Sequence, residues 1–451
     1  MITGRKNESI LLFLGDILFL IAALWVTLAL RYFDLPSGEI FYAHLAPFII
    51  LFAVWVLVFF IAGLYDKHTV IFKRKLPSII LNAQIANIII AALFFFLIPY
   101  FGITPKTNLF IYLFISFIFI VFWRLSLFPI LENKKRQNAL LIAGGKEMLE
   151  LKEEVNNNKR YNFQFTAFLD IDTVSGEELK NYISEQIRES NISMIIADTS
   201  DEKVSLAMPL LYYLAFIKSR FKFLDFQKMY ENIFDRVPLS LVKYNWFLNN
   251  VSMIPKITHD IIRRIIDIVF SVLLGVPSLL VYPFVISAIK FSSKGNIFIK
   301  QERVGRDNKT INIIKFRSME RDDKGESLVN SDNKTTKVGD ILRKTRIDEL
   351  PQLWNVLKGD LSFIGPRPET LNLAELYEKE IPYYNFRHFI QPGLSGWAQI
   401  HHTRHPHFGV KYDQTREKLS YDIYYIKNRS LLLDLYIGLK TIKTLFSRTG
   451  L

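Results

Sequence analysis

Asp348 and Glu349 stand side by side, with Arg343, Lys344 and Arg346 just before them and Gly365-Pro366-Arg367-Pro368 shortly after. Two adjacent carboxylates among cations suit phosphate chemistry. The acids can hold a divalent metal, and the guanidiniums can neutralise phosphoryl oxygens. Pro351 fits the first turn of a short amphipathic helix, where its missing N–H costs nothing, and Gly359 fits its end. The start of such a helix carries partial positive charge that favours anions. For the same reason an acidic pair can sit there without any function. The neighbouring motifs therefore have to decide.

Two short stretches present further cations in strand-like or turn-like settings. Gln301-Glu302-Arg303-Val304-Gly305 offers Arg303, and Ile313-Ile314-Lys315-Phe316-Arg317-Ser318-Met319 offers Lys315 and Arg317. Either one alone reads equally well as a solvated basic face. Residues 391–400 form a Gly/Pro-punctuated loop with Trp397, shaped for close backbone approach to a ligand or a membrane. His401, His402, His405 and His407 follow, in a spacing that matches no metal-ligand pattern and reads as solvated loop histidines.

Much of the remaining chain is built to reach a membrane. At 451 residues it has room for two or three domains. Half of the residues are hydrophobic and 38 are Phe, which points to membrane segments. The net charge of +13 then favours anionic lipid and phosphorylated substrates over nucleic acid. The absence of cysteine excludes disulfides and thiolate metal sites. Four apolar runs, 9–30, 45–64, 78–99 and 109–128, each have about the 20 residues that a membrane crossing needs. Lys and Arg cluster before the first run, between the second and third, and after the fourth, which predicts cytoplasmic ends. Arg124 lies near enough to one end of its span to snorkel to the interface. Asp16, Asn82, Gln84 and Asn87 at membrane depth predict interhelical hydrogen bonds.

From residue 138 the pattern becomes that of a soluble α/β domain. Strands are predicted at 139–143, 165–169 and 193–197 with helices between them, hence a parallel, doubly wound sheet. Gly144-Gly145 lacks the third glycine of a dinucleotide fingerprint, so a structural or regulatory module is preferred to a nucleotide site. Residues 235–255, with Tyr244, Trp246 and Phe247, read as a linker touching the membrane surface. A fifth apolar run, 265–289, contains Pro277 and Pro283 and has cations at both ends. It reads as a helix that enters the membrane, breaks and returns, with Pro283 the favoured break and a tilted span the alternative. Residues 431–446 place apolar side chains at helical spacing, as in an interfacial helix.

Taken together, six motifs carry a resemblance. They are Arg264-Ile265-Ile266-Asp267-Ile268, Gln301-Glu302-Arg303-Val304-Gly305, Lys315-Phe316-Arg317-Ser318-Met319, Asp348-Glu349-Leu350-Pro351-Gln352, Gly365-Pro366-Arg367-Pro368 and Pro392-Gly393-Leu394-Ser395-Gly396-Trp397-Ala398-Gln399. In this order the chain resembles the bacterial polyprenyl-phosphate hexose-1-phosphate transferases, the long form of the monotopic phosphoglycosyl transferases. The resemblance implies a membrane α-helical N-terminal bundle over 1–137 and a Rossmann-like α/β domain over 138–250. A mainly α catalytic domain over 251–451 would follow, with a re-entrant membrane helix at 265–289. It further implies transfer of sugar-1-phosphate from a UDP-sugar to a polyprenyl (undecaprenyl) phosphate, with release of UMP. Carried over, Asp348 is the nucleophile that forms a phosphosugar-aspartyl intermediate, and Glu349 is its partner, with Mg²⁺ at the pair. Arg343, Arg367, Lys315, Arg317 and Arg303 become substrate and phosphate contacts. The setting implied is the bacterial cytoplasmic membrane, with both termini cytoplasmic and a homodimer compatible with the long form.

Two departures stand against the family pattern. The usual Ser-Pro break falls at Leu279-Leu280, and His401-His402-Thr403-Arg404 replaces a shorter turn. Two other classes of function compete with the transferase. A membrane-anchored scaffold would have the middle domain as its working part, and an oxidoreductase would be built on the middle sheet. The sugar is left open.

Overall fold

The computed structural model describes residues 4–65, 76–98, 105–128, 136–158, 161–189, 191–217, 221–251, 256–320, 335–401 and 412–447. The chain divides into two compact units, Met1–Lys135 and Arg136–Leu451.

The first unit is four helices: α1 (Gly4–Tyr32), α2 (Gly38–Ile61), α3 (Leu76–Leu97) and α4 (Pro105–Phe122), the last continued by a π-helical turn through Leu127. Each is long and apolar enough to cross a membrane. Leu20, Leu24, Phe48, Trp55, Ile80 and Tyr112 fill the space between them. The outer faces remain apolar and exposed, as lipid-facing helices require. Arg124 does not snorkel. Its Nε donates to Asp16 Oδ1 at 3.0 Å, its Nη2 pairs with Asp16 Oδ2, and its Nη1 donates to Leu64 O at 2.7 Å. Tyr65 Oη also donates to Asp16 Oδ2, at 2.7 Å. A buried counter-charge and a free helix-end carbonyl offer more than a reach to water. At the other end of α1, Arg31 Nη1 donates to Asn108 Oδ1 at 2.6 Å. Asp16 thus makes the expected interhelical bonds, whereas buried Gln84 and Asn87 have no hydrogen-bond partner among the described residues, and Asn82 faces outward.

The second unit begins with a four-stranded parallel sheet in the order β2-β1-β3-β4. Its strands are β1 (Gln137–Ala143), β2 (Phe163–Asp170), β3 (Met194–Ala197) and β4 (Lys222–Asp225), joined through helices α5 (Gly145–Asn157), α6 (Gly176–Glu189) and α7 (Glu202–Tyr212). β1 is one apolar run because it lies in the middle of the sheet and is buried on both faces. β4 escapes the sequence because Lys222-Phe223-Leu224-Asp225 is too short and too charged to read as a strand. At the turn into α5, Gly145 sits at φ +73° and its N–H donates to Asp172 Oδ2 at 3.2 Å. A side chain on Gly144 would meet the same carboxylate at 2.8 Å. The chain's own acid thus occupies the turn between β1 and α5.

Helices α8 (Phe226–Phe234) and α9 (Tyr244–Asn250) lead out of the sheet. Trp246 and Phe247, expected at a membrane surface, are instead buried with Tyr377, Tyr384 and Ile423 of the C-terminal part. The two halves of this unit are clamped by charge. Arg236 pairs with Glu150 on α5, donates from Nε to Tyr230 Oη at 3.1 Å and reaches Glu417 with Nη1 at 2.8 Å. Lys427 pairs with Glu231 at 2.8 Å, and Trp397 Nε1 donates to Asp235 O at 2.7 Å.

The C-terminal part opens with α10 (Ile257–Ser278) and α11 (Tyr282–Ser292), two apolar helices bent by 62°. The break lies at Leu279–Val281, between the prolines and not at Pro283. Pro277 ends α10, where Leu279, Leu280 and Val281 tighten into short-range bonds. Pro283 instead lies in the first turn of α11, where no N–H is needed. An antiparallel hairpin follows, β5 (Phe298–Val304) and β6 (Thr310–Phe316). Then come α12 (Lys337–Lys344), a 3₁₀ turn Ile347–Glu349, α13 (Gln352–Lys358) and β7 (Ser362–Ile364). The chain continues through α14 (Leu371–Glu380), a 3₁₀ turn Tyr384–Phe389, β8 (Gly393–Ser395), α15 (Trp397–His401), α16 (Tyr412–Asn428) and α17 (Leu431–Ser447).

Candidate active site

The acidic pair is positioned from both sides of a tight turn. Arg346 enters it in the left-handed region, at φ 57°, a conformation that costs a residue with a Cβ about 1 kcal/mol. Asp348 and Glu349 occupy the 3₁₀ turn, and Pro351 then starts α13. Gly359 ends α13 at φ 98°. The end of α13 is fixed to α10, because Arg264 donates to Val356 O at 2.7 Å and to Leu357 O at 2.6 Å. Asn355 fixes its side to β6, donating to Asn312 O at 2.7 Å and accepting from Ile314 N at 3.0 Å.

The two carboxylates have opposite environments. Burial pushes the Asp348 carboxyl up to about 6, helped by the charge of Glu349, while Lys315, Arg343 and Arg346 pull it back. Its Oδ1 is buried with no hydrogen-bond partner among the described residues. Burial also opposes ionisation of Glu349, but Arg367 and Arg346 outweigh it and hold that carboxyl down at about 2. Arg367 Nη2 donates to Glu349 Oε1 at 2.7 Å, and Arg346 Nη1 lies 3.3 Å from Oε2. One acid is committed to arginines, and the other keeps an oxygen open.

The expected cations divide into three groups. Lys315 and Arg343 act on Asp348 through their charge, with Arg343 Nε anchored to Ser318 Oγ at 2.9 Å. Arg367 binds Glu349. Arg317 and Arg303 are directed elsewhere. Arg317 is buried and its Nη2 donates to Ser293 O at 2.7 Å, while Arg303 donates to Pro368 O at 3.3 Å and Gln301 Oε1 at 2.9 Å. Sequence reading gave Arg346 no role of its own, although its place beside the pair was visible; its backbone conformation was not. His402, Arg404, His405 and His407 lie outside the described residues.

The loop at 391–400 brings its backbone against that of residues 362–366. β8 pairs in parallel with β7, and a side chain on Gly393 would sit 2.2 Å from Gly365 N. Trp397 is buried, stacked on Tyr424. This pairing sets the start of the Gly365-Pro366-Arg367-Pro368 turn. β7 is in turn tied to α10. Arg263 Nε donates to Ser362 Oγ at 2.9 Å, and Asp267 Oδ1 accepts from Ser362 Oγ at 3.1 Å and Phe363 N at 3.0 Å.

Mg²⁺ takes one or two carboxylates, water and substrate phosphate in preference to an all-protein cage. The open Oδ1 of Asp348 beside Glu349 fits that donor set. Among the described residues no cluster of three or more His, Asp or Glu offers a fuller one.

Residues 258–448 match the family model described as bacterial sugar transferase. Over 205 residues the chain is 42% identical to a UDP-N-acetylgalactosamine-undecaprenyl-phosphate N-acetylgalactosaminephosphotransferase of Aeromonas hydrophila, covering 44% of this chain and 47% of the relative. It is 36% identical over 200 residues to a UDP-glucose:undecaprenyl-phosphate glucose-1-phosphate transferase of Caulobacter vibrioides, covering 43% of this chain and 73% of the relative. With an exopolysaccharide production protein of Rhizobium leguminosarum the identity is 37% over 198 residues, 42% of this chain and 96% of the relative. The chain thus spans about half the length of the Aeromonas protein but nearly all of the Rhizobium one. Matched over almost the whole of a relative at that identity, the chain belongs to the bacterial sugar transferase family.

Proposed function

We propose that this chain transfers sugar-1-phosphate from a UDP-sugar to undecaprenyl phosphate, with release of UMP, as the first membrane step of surface polysaccharide assembly. The observation that carries the reading is the unequal acid pair. Glu349 is held ionised by Arg346 and Arg367, and Asp348 keeps a buried oxygen unpartnered beside it. Both lie within the family match. The names of the Aeromonas and Caulobacter relatives supply the two substrates.

In this reading an Asp348 oxygen attacks the sugar-bearing phosphorus of the UDP-sugar. The bond to the bridging oxygen breaks, and UMP leaves with that electron pair. A phosphate oxygen of the lipid then attacks the same phosphorus and releases the Asp348 carboxylate, giving the polyprenyl-diphosphate sugar. Splitting the transfer lets two large substrates use one site in turn. Lys315 and Arg343 offset the repulsion between a carboxylate and a diphosphate, and Arg367 holds Glu349 in register. Mg²⁺ held by Asp348 and Glu349 would neutralise phosphoryl oxygens.

One feature of the fold supports the membrane part of this reading. The bend between α10 and α11, with Arg263 and Arg264 before it and Lys290 and Lys294 after it, suits a helix that enters and leaves on one face. The middle sheet serves as a support, since Asp172 fills the turn between β1 and α5. The test is a screen of UDP-sugars with polyprenyl phosphate, reading UMP. Sustained release is expected only with lipid phosphate and divalent metal present, with at most one UMP per chain when the lipid is left out, and Asp348→Asn should abolish both without lowering the unfolding midpoint. Near-normal turnover by Asp348→Asn would remove the assigned nucleophile.

A further inference from the structure

The turn that carries Arg367 is flanked by prolines at 366 and 368 that supply no N–H. Its carbonyls are each met by a donor. Arg387 Nη2 donates to Arg367 O at 2.9 Å, Arg303 Nη1 to Pro368 O at 3.3 Å, and Val304 N to Glu369 O at 2.9 Å. Of these donors Arg387 is the one set deepest, 5% exposed. Its Nη1 donates to Tyr384 Oη at 2.8 Å and lies 3.8 Å from Glu369 Oε1, while Nη2 lies 3.0 Å from Asp422 Oδ2. Asp422, on α16, is itself 1% exposed.

A buried ion pair is poor value for stability alone, because apolar side chains of similar volume commonly do as well or better. What a guanidinium adds is a planar fork that holds several acceptors in fixed directions, which an ammonium cannot reproduce. Here the fork donates to a phenol and to the main-chain carbonyl of the residue whose side chain binds Glu349, and the Asp422 carboxylate lies beside it as a counter-charge. Burial pushes the Asp422 carboxyl up to about 6, and Arg387 and Lys418 pull it back, so the pair is kept against a desolvation cost.

We propose that Arg387 is a positioning residue: by gripping the Arg367 carbonyl, with Asp422 behind it, it aims the Arg367 guanidinium at Glu349. Arg387 touches no substrate and acts through Arg367. Its effect on turnover rests on the transferase reading, but its coupling to Arg367 does not.

The experiment is a thermal-unfolding cycle on the full chain in nanodiscs, with R387K, R367Q and the double variant. R387K keeps a buried cation but loses the fork. The midpoint shift caused by R367Q should fall by about half or more in the R387K background, as coupled neighbours do. Additive shifts would overturn the proposal. If R387K fails to fold, D422N takes its place in the cycle with the same expectation. With a UDP-sugar that the wild type uses, R387K should raise KM about tenfold with kcat changed less, the pattern of lost ground-state binding. A variant with a lower midpoint and unchanged KM would reduce Arg387 to a structural residue and overturn the proposal as well. A wild type that turns over no UDP-sugar would sink the transferase reading, while the cycle would still decide the clamp.

Discussion

Asp267 offers the sharpest test of how the broken helix is tied to the site. Its Oδ1 accepts from Ser362 Oγ at 3.1 Å and Phe363 N at 3.0 Å, and Arg263 shares the same serine. Asp267, Arg263 and Ser362 are 5%, 8% and 2% exposed. Asp267→Ala leaves a buried N–H without an acceptor, worth about 1–3 kcal/mol. It also removes the charge that the buried Arg263 guanidinium reaches through Ser362, an indirect coupling of about 0.5–3 kcal/mol. Asp267→Asn keeps an acceptor for both donors and loses only the charge, so about 1–2 kcal/mol is expected. The assay is thermal unfolding of the full chain in detergent, repeated in an Arg263→Met background. There Asp267→Ala should cost less by about 0.5–3 kcal/mol, because the coupled cation is gone. Equal effects of Ala and Asn, or full additivity with Arg263→Met, would refute the reasoning.

Other expectations follow from the same geometry. Burial pushes the Asp198 carboxyl at the end of β3 up to about 6, above its ordinary 3.8. The fold therefore favours the neutral form, and the sheet should lose up to about 3 kcal/mol as pH rises from 4 through 6. Asp198→Asn should flatten that profile in hydrogen exchange; an unchanged slope would count against the shift. Arg124→Met strands Asp16 inside the helical bundle and should lower the detergent unfolding midpoint more than Arg31→Met, whose partner Asn108 is neutral. A reporter fused at Leu451 should report the cytoplasmic side, and an external signal would defeat the re-entrant reading of α10 and α11.

The elements that a pattern of apolar residues determines were readable from the chain. The four apolar helices, three of the four strands of the parallel sheet and the short helix that begins after Asp348 and Glu349 all follow from periodicity, Pro and Gly. What escaped depends on partners far apart in sequence. Arg124 was visible as a cation near a span end, but its partner Asp16 lies 108 residues away. Trp246 and Phe247 look the same in sequence whether they meet lipid or protein; the cluster around Ile423 decides. Arg303 and Arg317 sit in motifs that resemble a site, and only the fold reveals the carbonyls they brace, Pro368 O and Ser293 O. A sequence reports that a guanidinium is present, not which carbonyl the fold leaves open for it.

The bridge through Arg236 has a consequence for the order of synthesis. Its partner Glu417 is 181 residues downstream, and Glu231 waits 196 residues for Lys427. At about 5–20 residues per second the sheet would be complete for roughly 10–40 s before α16 leaves the ribosome. During that interval Glu150 is the one of its two carboxylate partners, among the described residues, that Arg236 has at hand, and the surface that will receive α16 stays wet. The early half of this unit thus carries a vacancy shaped for the late half, so a chain cut before residue 417 should expose it to chaperones and proteases.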